Sequence, residues 1–229
     1  FPAPGIALTN NTGAIALTGL TLATSSGPAL LASSGGLLTV TGATNTVSST
    51  TGRALDLTGT TFGAAGVTFQ SVSADGAPNG ISIVNSGTLG SLTVTGDGSG
   101  AANGSGGTIQ NTTGPGISIT NSVGVSLSQL DVTSTTSHGF DLLQVTDLTY
   151  QDALVTNAGT MDDEHGMRLT NLFGTSLLDN VTFDGINEDG IEIRNDLTDD
   201  ATTDTLTITG CTFLGHTTAG FAEHAVDIQ

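Results

Sequence analysis

The sequence predicts an all-β fold, a parallel β-helix built from short strands stacked coil upon coil, and three observations carry that prediction. A phrase recurs in the chain: Gly116-Ile-Ser-Ile-Thr-Asn121, Gly139-Phe-Asp-Leu-Leu-Gln144, Gly166-Met-Arg-Leu-Thr-Asn171 and Gly190-Ile-Glu-Ile-Arg-Asn195. Its apolar residues alternate (Ile117 and Ile119, Phe140 and Leu142, Met167 and Leu169, Ile191 and Ile193), which is the period of a half-buried strand and not of a helix. The copies begin 23, 27 and 24 residues apart, too close for a strand plus a crossover helix but right for one solenoid coil.

Two further strand-like pairs follow the phrase inside a coil. After Gly116 come Val125 and Leu127, then Leu130 and Val132. After Gly166 come Leu177, then Val181 and Phe183; after Gly190 come Leu206 and Ile208, then Cys211 and Phe213. The expectation is therefore three short strands per coil of about 23–27 residues. Stacking at ~4.8 Å would set Asn121, Gln144, Asn171 and Asn195 in one column, where side-chain amides can hydrogen-bond along the axis.

The same grammar reaches back to the start. Gly5-Ile-Ala-Leu-Thr-Asn10 matches the phrase, with Ala14 to Leu17 and Leu20 to Leu22 completing that coil. From about Gly27 the next coil runs through Leu30, Leu31, Leu38 and Val40, and Gly52 introduces Leu55, Leu57, Phe62, Val67 and Phe69 in a looser register. Gly80-Ile-Ser-Ile-Val-Asn85 restores the phrase. Residues 96–107, rich in Gly and Ser, read as a side loop in preference to an interdomain linker, because Thr108 to Asn111 returns to strand chemistry at once. The whole of 1–229 thus reads as one solenoid, a weakly charged part (1–137) followed by an acidic part (138–229). Its last strand, Val226 to Gln229, reads as the opening of another coil, so the chain is expected to be a piece of a longer polypeptide whose ends dock end to end with further coils.

Composition narrows the function. The net charge is −18, with 21 acids against three arginines and no lysine, which argues against nucleic acid as a partner. No run approaches the ~20 apolar residues of a membrane-spanning helix. Aromatic residues make up only 4% and Trp is absent, so the interior must be filled by aliphatic ladders. The single cysteine, Cys211, cannot close an internal disulfide and reads as a small buried hydrophobe. The 33 glycines are expected at turns between strands, where positive φ is often needed.

The repeat phrase resembles the right-handed parallel β-helix repeats of the pectin-lyase-like superfamily, in particular the Gly/Thr/Asn-rich regions of large bacterial autotransporter passengers and adhesins. That resemblance implies a right-handed β-helix in a secreted or cell-surface bacterial protein. It also implies a structural or adhesive role, with another cell surface or an extracellular polysaccharide as partner.

Of the 21 acids, 17 fall in residues 138–229, together with all four histidines. Before the repeat glycines stand Ser137-His138, Glu164-His165 and Glu188-Asp189, and before Ala225 in the last copy stands Glu223-His224, so stacking would align His138, His165, Asp189 and His224, with Glu164, Glu188 and Glu223 beside them. Such a column reads either as a solvated turn edge or as a transition-metal site. Calcium is the better cation candidate on sequence: Asp162, Asp163, Glu164, Glu188, Asp189, Asp196, Asp199, Asp200 and Asp204 offer hard oxygen ligands close together. The alternative reading is a carbohydrate-active β-helix, lyase or hydrolase, centred on Asp162, Asp163, His165, Glu188 and Asp189. Polygalacturonases, which the fold class resembles, show an Asp-Asp pair, a Gly-His-Gly and an Arg-x-Lys. Here Asp162-Asp163 and His165-Gly166 stand without any lysine, and Arg168 and Arg194 are expected to pair with stacked acids such as Glu192.

Overall fold

A computed structural model describes residues 3–195, 204–215 and 224–229. Its described residues form nineteen strands and no helix, and the strands stack into a parallel β-solenoid of about eight turns. The phrase strand forms the first wall. Ile6 pairs with Leu30, and the ladder then climbs through Leu55, Ile81, Ile117, Phe140, Met167 and Ile191 to Val226, parallel at each step. A second wall runs Val40, Val67, Leu92, Val125, Leu148. The third includes Ile109, Val132, Val155, Phe183 and Phe213. Three strands per coil is what the sequence predicts.

Alternation decides what each wall buries. Ile117, Ile119, Phe140, Leu142, Met167 and Leu169 are all at most 1% exposed, while the residues between them face outward. In the strand Thr175–Asp184 the inward residue is Leu178, stacked between Tyr150 and Ile208, and Leu177 faces out against Thr149 and Thr207. The sequence reading put Leu177 in the interior; the partner residues on both sides overrule it, because a one-residue slip turns every side chain to the other face. The early coils keep the ladder with Ala29 and Ala54, both fully buried, directly before Leu30 and Leu55, which is why Gly27 and Gly52 mark the register poorly. Cys211 packs half-buried against the core with its thiol against the Leu178 carbonyl (3.7 Å), and burial pushes that thiol's pKa up.

The phrase's two end residues have roles other than those the sequence reading gave them. The leading glycines at 80, 116, 139, 166 and 190 do not adopt positive φ. They are glycines because coils approach too closely for a side chain: a Cβ on Gly166 would lie 2.5 Å from the Gly190 carbonyl oxygen and 2.9 Å from Phe183. Positive φ belongs to the amide position, with Asn85 at 58°, Asn121 at 51°, Gln144 at 55° and Asn171 at 54°. Left-handed backbone costs an ordinary L-residue ~1–2 kcal/mol, and Asn tolerates it best after Gly. Two other corners repeat the device, with Gln129, Asp152, Asn180 and Gly210 at one and Ser134, Asn157, Gly185 and Gly215 at the other. Amide bonds along the axis do form, as from Asn121 Nδ2 to Asn85 Oδ1 and from Asn180 Nδ2 to Asp152 Oδ1, both 2.8 Å. They reinforce corners that backbone geometry has already selected.

Residues 96–106 project as a side loop, for the strand after them, Gly107–Gln110, pairs with the coils on both sides. The loop is internally tied. Asp97 accepts hydrogen bonds from the Ser99 NH and Asn103 Nδ2, and Gln129 of the next coil donates to Ser99 Oγ and to the Ala101 carbonyl, both at 2.8 Å. Near it, Asp131 accepts from the Leu154 NH at 3.0 Å, yet burial outweighs that bond and raises its pKa.

Two expectations follow from these contacts. Gly166→Ala should lower the unfolding free energy by about 1–3 kcal/mol, the usual cost of overpacking, whereas Gly13→Ala, with nothing within 4 Å of the added methyl, should be close to neutral; chemical denaturation compares them. Asp131 has a folded pKa above its unfolded value, so its contribution is lost as pH rises through the folded pKa. Asp131→Asn, which still accepts from Leu154, should therefore be more stable than the parent at neutral pH. That advantage should vanish in denaturation curves measured below the unfolded carboxylate pKa.

Candidate functional site

The acidic part of the chain places its chemistry at the corner ahead of the first wall, where the turn 159–165 meets the strands Met167–Thr170 and Ile191–Arg194. Two carboxylates shape the turn. Glu164 Oε2 accepts from the backbone NH of Thr160 and of Met161, and Glu188 Oε2 accepts from the NH of Asp163. These are caps for turn donors that would otherwise lack a partner. Asp162 is exposed on the same turn, and Asp204 accepts from the Gly174 NH at 2.6 Å beside the second wall. Asp196, Asp199, Asp200 and Glu223 lie outside the described residues. Of the acids expected to bind calcium, Glu164, Glu188 and Asp204 thus accept from backbone NH groups at separate places.

Three of the expected residues do converge, together with one the sequence reading did not count. His138 and His165 stack with ring centroids 5.4 Å apart and planes within 10°. The His165 NH donates to His138 Nδ1 at 3.0 Å, so that nitrogen carries a lone pair and the proton resides on Nε2. Burial, helped by the Arg168 charge, pushes the His138 pKa down to about 4, and the ring is neutral at physiological pH. His165 is 1% exposed and surrounded by carboxylates: its Nε2 is 3.2 Å from Glu192 Oε2 and 3.6 Å from Asp163 Oδ1, and its Nδ1 is 3.4 Å from Asp189 Oδ2. The other Asp189 oxygen accepts from the His224 NH at 2.7 Å. The column His138, His165, Asp189, His224 is therefore real, stepping from coil to coil.

Glu192 completes the group. It occupies an outward slot of its strand yet is only 1% exposed. Arg194 closes over it, with Nη2 and Nε at 2.6 and 2.8 Å from Oε1, and Arg194 Nη2 also reaches Asp163 Oδ1 at 3.2 Å. The expected pairing of Arg194 with Glu192 is present. Arg168, although in register with Glu192, turns instead to Asp141 in a two-pronged contact at 3.1 and 3.0 Å. Sequence reasoning treated Glu192 only as a neutralising partner. Its signal was available as the acid of the phrase copy directly following His165 in the stack.

The hydrogen bonding here is incomplete. Among the described residues five buried side-chain polar atoms lack a hydrogen-bond partner, and three of them meet at this point: both ring nitrogens of His165 and Glu192 Oε2. Solvent reaches the group through Asp163, whose side chain is 65% exposed.

Fold and corner together define a class, the parallel β-solenoid with a buried ionic cluster between coils. The chain matches no protein-family model, no curated protein and no solved structure.

Burial separates the two arginines. With chelator present, Arg194→Ala should cost about 3–5 kcal/mol, because it leaves the Glu192 charge buried without its partner. Arg168→Ala, whose pair with Asp141 is partly solvated, should cost at most ~1 kcal/mol, and urea titrations of the two variants give the comparison.

Proposed function

We propose that this chain is a rigid, non-catalytic segment of a bacterial extracellular or cell-surface protein, a β-solenoid rod whose walls serve structure and adhesion. One observation carries the reading: the first-wall ladder is unbroken from Ile6 to Val226, so each coil is hydrogen-bonded to its neighbours along the whole described length. Each added coil lengthens such a rod by ~4.8 Å. Its outward slots are filled by small hydroxyl side chains such as Ser118, Thr120, Ser126, Thr133, Thr149 and Thr156, a hydrated surface suited to contact with polysaccharide or another cell surface. Kinship with the pectin-lyase-like superfamily and right-handed winding belong to this proposal and rest on the repeat phrase. The strands Ile6–Thr9 and Val226–Ile228 each pair on one side only among the described residues, and such edges accept another coil end to end. Calcium stays outside the reading, because Glu164, Glu188 and Asp204 already serve backbone donors.

A second reading, the carbohydrate-active domain, draws on a shallow groove beside the cluster lined by Thr120, Asp141, Leu143, Arg168, Thr170 and Arg194. Incubation with acidic and neutral polysaccharides separates the two. The rod reading expects neither new reducing ends nor unsaturated uronides, and release of either product overturns it in favour of the second. A thermal melt in EDTA and then in millimolar Ca²⁺ should show the same midpoint.

A further inference from the structure

We infer that Asp163, His165 and Glu192 form a binding site for Zn²⁺ or a similar divalent transition metal, held between two successive coils. One ligand atom from each of Asp163, His165 and Glu192 lies within 4.8 Å of the other two. The distances suit a small tetrahedral ion. Zinc bonds nitrogen and oxygen at about 2.0–2.2 Å, which places two donors on one tetrahedral ion roughly 3.3–3.5 Å apart. The separations here are 3.2 Å from His165 Nε2 to Glu192 Oε2 and 3.6 Å from the same nitrogen to Asp163 Oδ1.

The second observation is independent of the acids. His165 and Glu192 are each 1% exposed, and neither the histidine nitrogens nor Glu192 Oε2 takes part in an aligned hydrogen bond. Buried polar atoms are nearly always hydrogen-bonded, and leaving one unmade costs about 1–3 kcal/mol. An imidazolium held by carboxylates would aim its N–H bonds at them, and these N–H directions miss Glu192 and Asp189 despite the short distances. Donors grouped around a ring nitrogen but off its N–H line are the arrangement that the ligands of one shared ion take.

Charge and surroundings agree. The three carboxylates that approach the His165 ring, Asp163, Asp189 and Glu192, face the one positive charge of Arg194, leaving two among these groups for a divalent ion to balance. Asp189 stands on the far side of the His165 ring, 3.4 Å from Nδ1, and adds a carboxylate charge there without an aligned hydrogen bond. Arg194 holds the other oxygen of Glu192 and so fixes which one faces His165. A nitrogen donor and only three protein ligands favour zinc over calcium, which takes six to eight oxygens. Asp163 and His165 come from the turn of one coil and Glu192 from the strand of the next, so the ion would fasten coil to coil.

The test uses the untagged, chelator-stripped full chain titrated with Co²⁺ as a spectroscopic stand-in for zinc. A visible d–d band of tetrahedral intensity should saturate at one equivalent and be displaced by Zn²⁺. Zn²⁺ alone should raise the melting midpoint, with Ca²⁺ having no such effect. Glu192→Gln keeps the shape, and Asp163→Asn keeps an oxygen that can accept from Arg194; each should weaken Co²⁺ binding at least tenfold with unchanged far-ultraviolet dichroism. No saturable band in the parent protein, or a band equally strong in both variants, overturns the site and leaves the rod reading untouched.

Discussion

Close approach of successive coils is the constraint on which everything else in this molecule depends. Parallel strands held in register leave no room for a side chain at the phrase glycines, where an added Cβ on Gly139 would meet the Gly166 carbonyl oxygen at 2.5 Å. From that contact follow the stacked interior ladders, because residues one coil apart must sit directly above one another. The same stacking aligns corners, and at the phrase corner Asn10, Ser34, Gly59, Asn85, Asn121, Gln144 and Asn171 accept left-handed backbone in successive coils. Asn, Gln, Ser and Gly alternate there with little regard for what their side chains then do.

Stacking also explains why ionic chemistry gathers at one edge. A residue placed before the phrase glycine is repeated one strand spacing away in the next coil, so His138, His165 and Asp189 are neighbours although each step between them is 27 or 24 residues in sequence. Burying such a column in a protein of net charge −18 demands compensation, and Arg194 supplies part of it. The remainder is what distinguishes this corner from the acidic turns nearby, whose carboxylates are occupied by backbone NH groups.

The wall pattern was legible in the sequence because burial of one strand face in two leaves a period that composition cannot disguise. Less legible were features set by contact between coils. The glycine and amide positions of the phrase stood out, but their physical roles exchange places once the Cβ contacts and φ angles are known. Leu177 and Leu178 are equivalent in the sequence, and only Tyr150 and Ile208 above and below decide between them. At the site, His165 and Asp189 were recognisable from their place before the glycine, and Asp163 from the run of acids around it. Glu192 was not, because an acid in an outward slot ordinarily faces water, and its burial arises from Arg194 folding back over it.

Tyr150, the sole tyrosine in a chain without tryptophan, is fully buried against Phe140 and donates its hydroxyl to the Leu130 carbonyl at 2.9 Å. Burial, with the nearby Asp131 charge, pushes its phenol pKa well up, so the ring keeps its proton through any ordinary buffer range. Optically this leaves Tyr150 as the one side chain that absorbs at longer wavelength than the eight phenylalanines. That ring sits inside the solenoid, in the coil that follows His138, so its emission reports on a single known layer.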